Sequence, residues 1–329
     1  MLPVAVDAMG GDHAPGEIVR GAILAEESYG IAVTLVGDPE RLAGMSNLEI
    51  VPSSQVIAMD DDPGVSVRRM KDASMVRAAE LVRDGKARAM VGAGNTGATM
   101  ASALLRMGRI KGLKRPAIAA AIPDLVTDHF TVMLDVGANA ECPPSLLLQF
   151  ARMGAAFARE RFGCTRPRVG LLSIGEEASK GDSVVKEAHE LLDQRGWQDA
   201  VGAEFLGNAE GRDLMGAQFD VIVTDGFTGN VALKGLEGGM SAVTARLGKV
   251  FSDTAAGRKA GAALGDQLQA LYDQINPDLT GGAMLLGVRG VCMIAHGSSN
   301  AVAIASTIRL AAEMADHDIV ARLRAAIAD

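Results

Sequence analysis

The chain has 329 residues, 48% of them hydrophobic, 39 glycines and a formal net charge of −8. That is material for a single α/β catalytic domain over 1–329, or for two closely joined lobes, and the acidic balance argues against nucleic-acid binding. Cys142, Cys164 and Cys292 form no CxxC pair and no metal spacing, no basic leader opens the chain, and no run reaches the ~18 apolar residues of a membrane span, so a cytoplasmic protein without a metal is expected.

Leu2–Val6 reads as the first strand, followed by a glycine turn and a helix over Pro15–Ser28, with Pro15 suited to the first helical turn. Ile31–Val36 is the second strand. Asp72 is expected to cap a helix that buries Met75, Val76, Ala79 and Val82 and stops at Gly85. Apolar, β-branched runs predict strands at Ala89–Val91, Ile118–Ile122, Phe130–Val136, Val169–Ile174 and Val221–Thr224, with a helix over Ser183–Arg195. Gly163–Pro167 suits a division between lobes by composition. Over 239–275, Met240, Val243, Leu247 and Val250 recur at helical spacing. After a small polar link, Ser252–Gly257, the stripe resumes at Leu264, Leu268, Leu271 and Ile275, which predicts a helical hairpin. Val291–Ala295 is the last strand. This alternation predicts a doubly wound, mainly parallel sheet from which the hairpin protrudes.

In such sheets, ligands bind beyond the carboxyl ends of the strands. The residues that follow each strand are alike: Asp7-Ala-Met-Gly-Gly-Asp-His13, Gly92-Ala-Gly-Asn-Thr-Gly97, Asp135-Val-Gly-Ala-Asn139, Gly175-Glu-Glu-Ala-Ser-Lys-Gly181, Asp225-Gly-Phe-Thr-Gly-Asn230 and His296-Gly-Ser-Ser-Asn300. Any one of them is an ordinary helix cap. Together they predict a single rim that binds an anion through backbone N–H groups and neutral side chains.

Gly92–Gly97 also matches GxGxxG after a strand, the dinucleotide pattern, so an NAD-dependent dehydrogenase is the alternative reading. Against it, the loop is not in the first βαβ unit, and the nearest acidic candidate for a ribose, Asp124, lies 27 residues beyond Gly97 rather than about 20. A non-catalytic anion- or acyl-binding protein is the other alternative. No GxxxxGK[ST] loop, GxSxG elbow or HxxxH pair is present.

The ordered motifs Val4-Ala-Val-Asp-Ala-Met-Gly-Gly-Asp-His-Ala-Pro15, Ala93–Ala98, Leu134–Asn139, Gly170–Glu177, Gly207-Asn-Ala-Glu-Gly-Arg-Asp213, Asp225–Val231, Gly281–Gly287 and His296–Ser299 resemble the bacterial phosphate acyltransferases of phospholipid synthesis. The chain departs from that family at Gly92, Met284 and Asn300, where Ser, Pro and Asp are usual. The resemblance implies a fold similar to the isocitrate and isopropylmalate dehydrogenases and phosphotransacetylase. It implies acyl transfer from acyl carrier protein to inorganic phosphate without a cofactor. It further implies a homodimer, peripheral at the inner face of the membrane, that hands acyl phosphate to a membrane glycerol-phosphate acyltransferase.

On this reading Lys180 grips phosphate or the oxyanion, and Asn95, Thr96 and Asn230 donate to oxygen. His296 protonates the leaving thiolate, and Asp7, Asp12 and His13 orient the cluster. Gly94, Gly97, Asn139, Asp225, Gly229 and Ser298 complete the substrate contacts. Arg106, Arg109, Lys111, Lys114 and Arg115, ten residues free of acid, are expected to dock the acidic carrier.

Overall fold

The computed structural model describes residues 1–124, 126, 127, 129–276 and 280–327, with the side chain of Ile275, the last residue of the expected stripe, outside the description. Among them, strands β1 (Val4–Asp7), β2 (Val33–Gly37), β3 (Glu49–Pro52), β4 (Ala89–Gly92), β5 (Ala117–Pro123), β6 (Phe130–Leu134), β7 (Arg168–Leu172), β8 (Glu204–Ala209), β9 (Val221–Val223), β10 (Ala283–Leu286) and β11 (Val291–Ile294) form one sheet. Its order is β3-β2-β1-β4-β11-β10-β5-β6-β9-β7-β8. The sheet runs unbroken past Gly163–Pro167. Successive residues of β1 alternate between two cores, Val4 and Val6 on one face and Ala5 on the other, so helices cover both faces.

Most neighbouring strands are parallel. Three junctions are not: β11 with β10, β10 with β5, and β5 with β6. After three reversals, β6, β9, β7 and β8 run opposite to β1, β4 and β11. The carboxyl ends of the two halves therefore open on opposite edges of the sheet. The single rim expected from the sequence is corrected to two edges, with three of the glycine turns on each.

Two local expectations also change. Asp72 does not cap the helix Ser74–Arg83; that helix starts after Ala73, and the Asp72 carboxylate accepts from the Ser54 N–H and hydroxyl at 2.8 and 2.7 Å. The protruding element is longer than 239–275. Its first helix, Gly226–Ser252, starts at Asp225, whose carboxylate caps the Thr228 N–H at 2.8 Å. Ala232, Leu233 and Leu236 pack on the core. Beyond them, Val243 is 61% exposed and Leu247 40%. The expected loose link is itself helical over Ala255–Ala263, capped by Thr254, before the return helix Gly265–Ile275.

Candidate active site

The first edge gathers the turns after β1, β4 and β11. The Gly10 and Gly94 backbones meet here; a Cβ on Gly10 would lie 2.9 Å from the Gly94 Cα. Asp7 lies beneath them, fully buried, its Oδ1 accepting from the Met9 N–H at 3.1 Å and its Oδ2 lacking a hydrogen-bond partner. Burial pushes its carboxyl up, against the Ser74 hydroxyl and the Met9 and Gly10 N–H groups. Closed off from solvent, Asp7 is a structural acid rather than a substrate ligand. Asp12 and His13 are exposed, and the Asp12 N–H reaches the Gly297 carbonyl at 2.8 Å.

Asn95 is fully engaged. Its Oδ1 caps the helix Thr96–Arg106 through the Ala98 N–H at 3.0 Å. Its Nδ2 donates to the carbonyls of Ala58, Met59 and Asp61. No side-chain donor remains for phosphate, so the role expected of the Asn95 amide passes to loop anchoring. Pro63 presses on Gly97, where a Cβ would lie 2.7 Å from its Cγ. Residues 58–63 thus lie across the GxGxxG loop, where a dinucleotide pyrophosphate would have to sit. Thr96 is exposed at the helix start. His296 is exposed too; its Nδ1 accepts from the Ser298 N–H at 3.2 Å and contacts the Ser298 hydroxyl at 2.7 Å. That fixes the ring proton of the neutral form on Nε2, making His296 a donor toward solvent.

The second edge holds the turns after β6, β7 and β9. Asp135 is its hub. Its carboxylate accepts from the N–H groups of Ile118, Gly137, Ala138 and Asn139 and from the Asn139 amide. Burial nonetheless pushes Asp135 up, with those donors opposing. Asn139 spends its Nδ2 on Asp135 and the Pro116 carbonyl, 2.8 Å each, and is structural. Gly229 packs on the same hub, where a Cβ would fall 2.0 Å from the Asp135 carbonyl oxygen; its role is close packing, not ligand contact. Asp225 is the helix cap described above. Asn230, one turn further on, is exposed beside Gly137.

Lys180 is exposed in the turn after β7. Its N–H donates to the Glu177 carbonyl at 2.9 Å, and its stem lies over Gly175, where a Cβ would meet its Cγ at 2.8 Å. The turn closes at Gly181 with φ of 95°. Asn208 of β8, in the Gly207–Asp213 motif and without a role expected from sequence, holds the turn from behind: its Nδ2 donates to the carbonyls of Gly175 and Glu177 at 3.1 and 2.8 Å. Buried polar side chains in an edge strand were the available signal for it.

The basic stretch opens on this same edge, at the start of β5. Arg109, Lys111, Lys114 and Arg115 are exposed. The Lys114 Nζ donates to Ser145 at 2.8 Å and Arg115 to the Glu141 carbonyl at 3.5 Å. Arg106 leaves the set: it is half-buried, with its Nε 3.6 Å from Glu80. Cys142 lies next to the hub, its thiol pushed up to about 12 by burial and the Asp135 charge, so it is a poor nucleophile. Of the expected catalytic four, Lys180 and Asn230 share the second edge, while Asn95 and His296 lie on the first.

The chain matches a family model described as a fatty acid synthesis protein over residues 2–322. It is 45% identical over 328 residues to a protein named phosphate acyltransferase from Nostoc punctiforme, covering 98% of this chain and 95% of that one. Among solved structures it is similar to a phosphotransacetylase from Streptococcus pyogenes, with a TM-score of 0.62 at 16% identity, covering 96% and 94% of the two chains. It is also similar to a 4-hydroxythreonine-4-phosphate dehydrogenase from Klebsiella pneumoniae, with a TM-score of 0.55 at 14% identity and coverage of 96% and 100%. At such identities these two likenesses concern the fold alone.

Proposed function

The chain belongs to the phosphate acyltransferase family, and from that membership we propose that it moves a fatty acyl group from acyl carrier protein thioester to inorganic phosphate for phospholipid synthesis. The observation that carries the reading into the structure is the second edge. There an exposed Lys180, the Asn230 amide and four exposed cations at 109–115 open on one side of the sheet.

The chemistry asks little covalent help. A hydrogen phosphate oxygen attacks the thioester carbonyl, the new C–O bond forms as the C–S bond breaks, and the departing thiolate takes the proton that phosphate brought. Lys180 balances charge on phosphate and Asn230 donates to the developing oxyanion. The depressed acidity of Cys142 agrees with direct displacement. The first-edge candidates, His296 included, are assigned no step within one chain. The dehydrogenase alternative is disfavoured by residues 58–63 lying over the GxGxxG loop.

The acidic carrier docks on Arg109, Lys111, Lys114 and Arg115. The protruding helices pair with a second copy to form a homodimer, and their tip near Arg258 and Lys259 touches the inner membrane surface, where a glycerol-phosphate acyltransferase accepts the product. Among the described residues no helix is long and apolar enough to cross a membrane. Lys180→Ala tests the centre. Turnover with carrier thioester and phosphate is expected to fall by at least ~10²-fold in a folded protein, the scale for one lost transition-state stabiliser. Near-normal turnover would remove Lys180 from the mechanism.

A further inference from the structure

Asn208 sits in β8, outside every turn that faces solvent on this edge, and is 5% exposed. A polar side chain so buried in an edge strand needs a reason, because its desolvation is repaid only through the bonds it makes. Both bonds that it makes run into the Lys180 turn. One goes to the Gly175 carbonyl, and the Lys180 stem rests on that same residue. The other goes to the Glu177 carbonyl, which also receives the Lys180 N–H. Asn208 therefore grips both backbone points that set where Lys180 leaves the turn. Its Oδ1 finds no partner, nor does the Oγ of Ser173 under Gly181. The amide is kept for its donor, with its acceptor left stranded. A second, exposed tie comes from the same motif: Arg212 pairs with Glu176 at 2.7 Å.

We infer that Asn208 is a positioning residue for the transfer reaction, holding the Lys180 turn so that the ammonium meets phosphate. The inference rests on the reading of Lys180 as the phosphate contact. Leucine would fill the space without the two donations, and aspartate would set a carboxylate against two carbonyl oxygens, so neither replaces asparagine.

The test is a double-mutant cycle on the intact enzyme with acyl carrier protein thioester and phosphate. Asn208→Ala is expected to lower kcat/KM for phosphate by at least ~10-fold, with the KM for the thioester unchanged, and to do so by less than ~2-fold when Lys180 is already alanine. Gly175→Ala keeps the Asn208 amide but drives a Cβ into the Lys180 stem, 2.8 Å from its Cγ; it should show the same phosphate defect and the same non-additivity, which covers the case in which Asn208→Ala does not fold. Backbone hydrogen exchange over 176–181 should quicken in Asn208→Ala while the rest of the sheet keeps its protection. Losses that add fully in the double variants, unchanged exchange in the turn, or normal phosphate kinetics in Gly175→Ala would each overturn the positioning role. A fully active Lys180→Ala enzyme would instead fail at the earlier step, the phosphate contact itself.

Discussion

Asp7 closes the first strand beneath two glycines, with its side chain buried. Burial holds its folded-state pKa above the value of 3.8 for an unburied aspartate. A raised carboxyl binds its proton more tightly in the folded chain. Its stabilising contribution is therefore complete below pH 3.8 and is lost as pH rises through the folded value. Asp7→Asn keeps an oxygen for the Met9 N–H and removes the charge. Its melting temperature should exceed that of the parent at about pH 8, with the gap closing toward about pH 4; a gap that stays constant or inverts would contradict the burial argument. The residue types at the turns were legible in the sequence, but their duties were not. Asn95 and Asn139 have the right chemistry for a ligand, yet each spends its amide on backbone carbonyls contributed by residues far away in the chain. Only tertiary structure reveals that competition. Lys180 differs because its ammonium is left to solvent.

The protruding helices bury only Gly226 and Gly229 along the whole of Gly226–Ser252, so their apolar stripes lack the covering that stabilises an amphipathic helix. With Val243, Val250 and Leu271 exposed, a second copy is the proposed cover. Leu271→Glu should move the protein from dimer to monomer or aggregate in sedimentation, and a clean dimer would contradict that pairing. The double change Arg258→Glu, Lys259→Glu should leave the dimer intact and weaken binding to anionic vesicles, since two cations give only weak, salt-sensitive adhesion. At this scale the stripe was readable from its 3.6-residue period, whereas the helix over Ala255–Ala263 was hidden by its small residues. Among the strands, β3, β8 and β10 escaped the pattern: β3 and β8 are edge strands with polar positions, and β10 is a four-residue Ala-Met-Leu-Leu run without β-branching.

Strand β10 shapes the whole molecule, because strand direction decides which edge a turn occupies. The signal was present in linker length. Only residues 124–129 separate β5 from β6, and 287–290 separate β10 from β11, far fewer than the dozen or so a parallel crossover needs. Those links require two antiparallel pairs; the third reversal, between β10 and β5, joins strands far apart in the chain, has no such signal, and completes the opposition of the two edges. A chain of net charge −8 presents Arg109, Lys111, Lys114 and Arg115 beside the edge that carries Lys180. Reversing two of these charges should lower activity with acyl carrier protein by about 10-fold and flatten its salt dependence, while activity with acyl-coenzyme A falls less; equal loss with both donors would move the docking surface elsewhere. The proposed reaction is read directly by one assay: the purified protein incubated with acyl carrier protein thioester, with and without phosphate and with and without NAD, followed for thioester loss and acyl phosphate. Acyl phosphate should form in step with thioester loss, saturate with phosphate and be indifferent to NAD; an intact thioester in saturating phosphate, or turnover that depends on NAD, would contradict it.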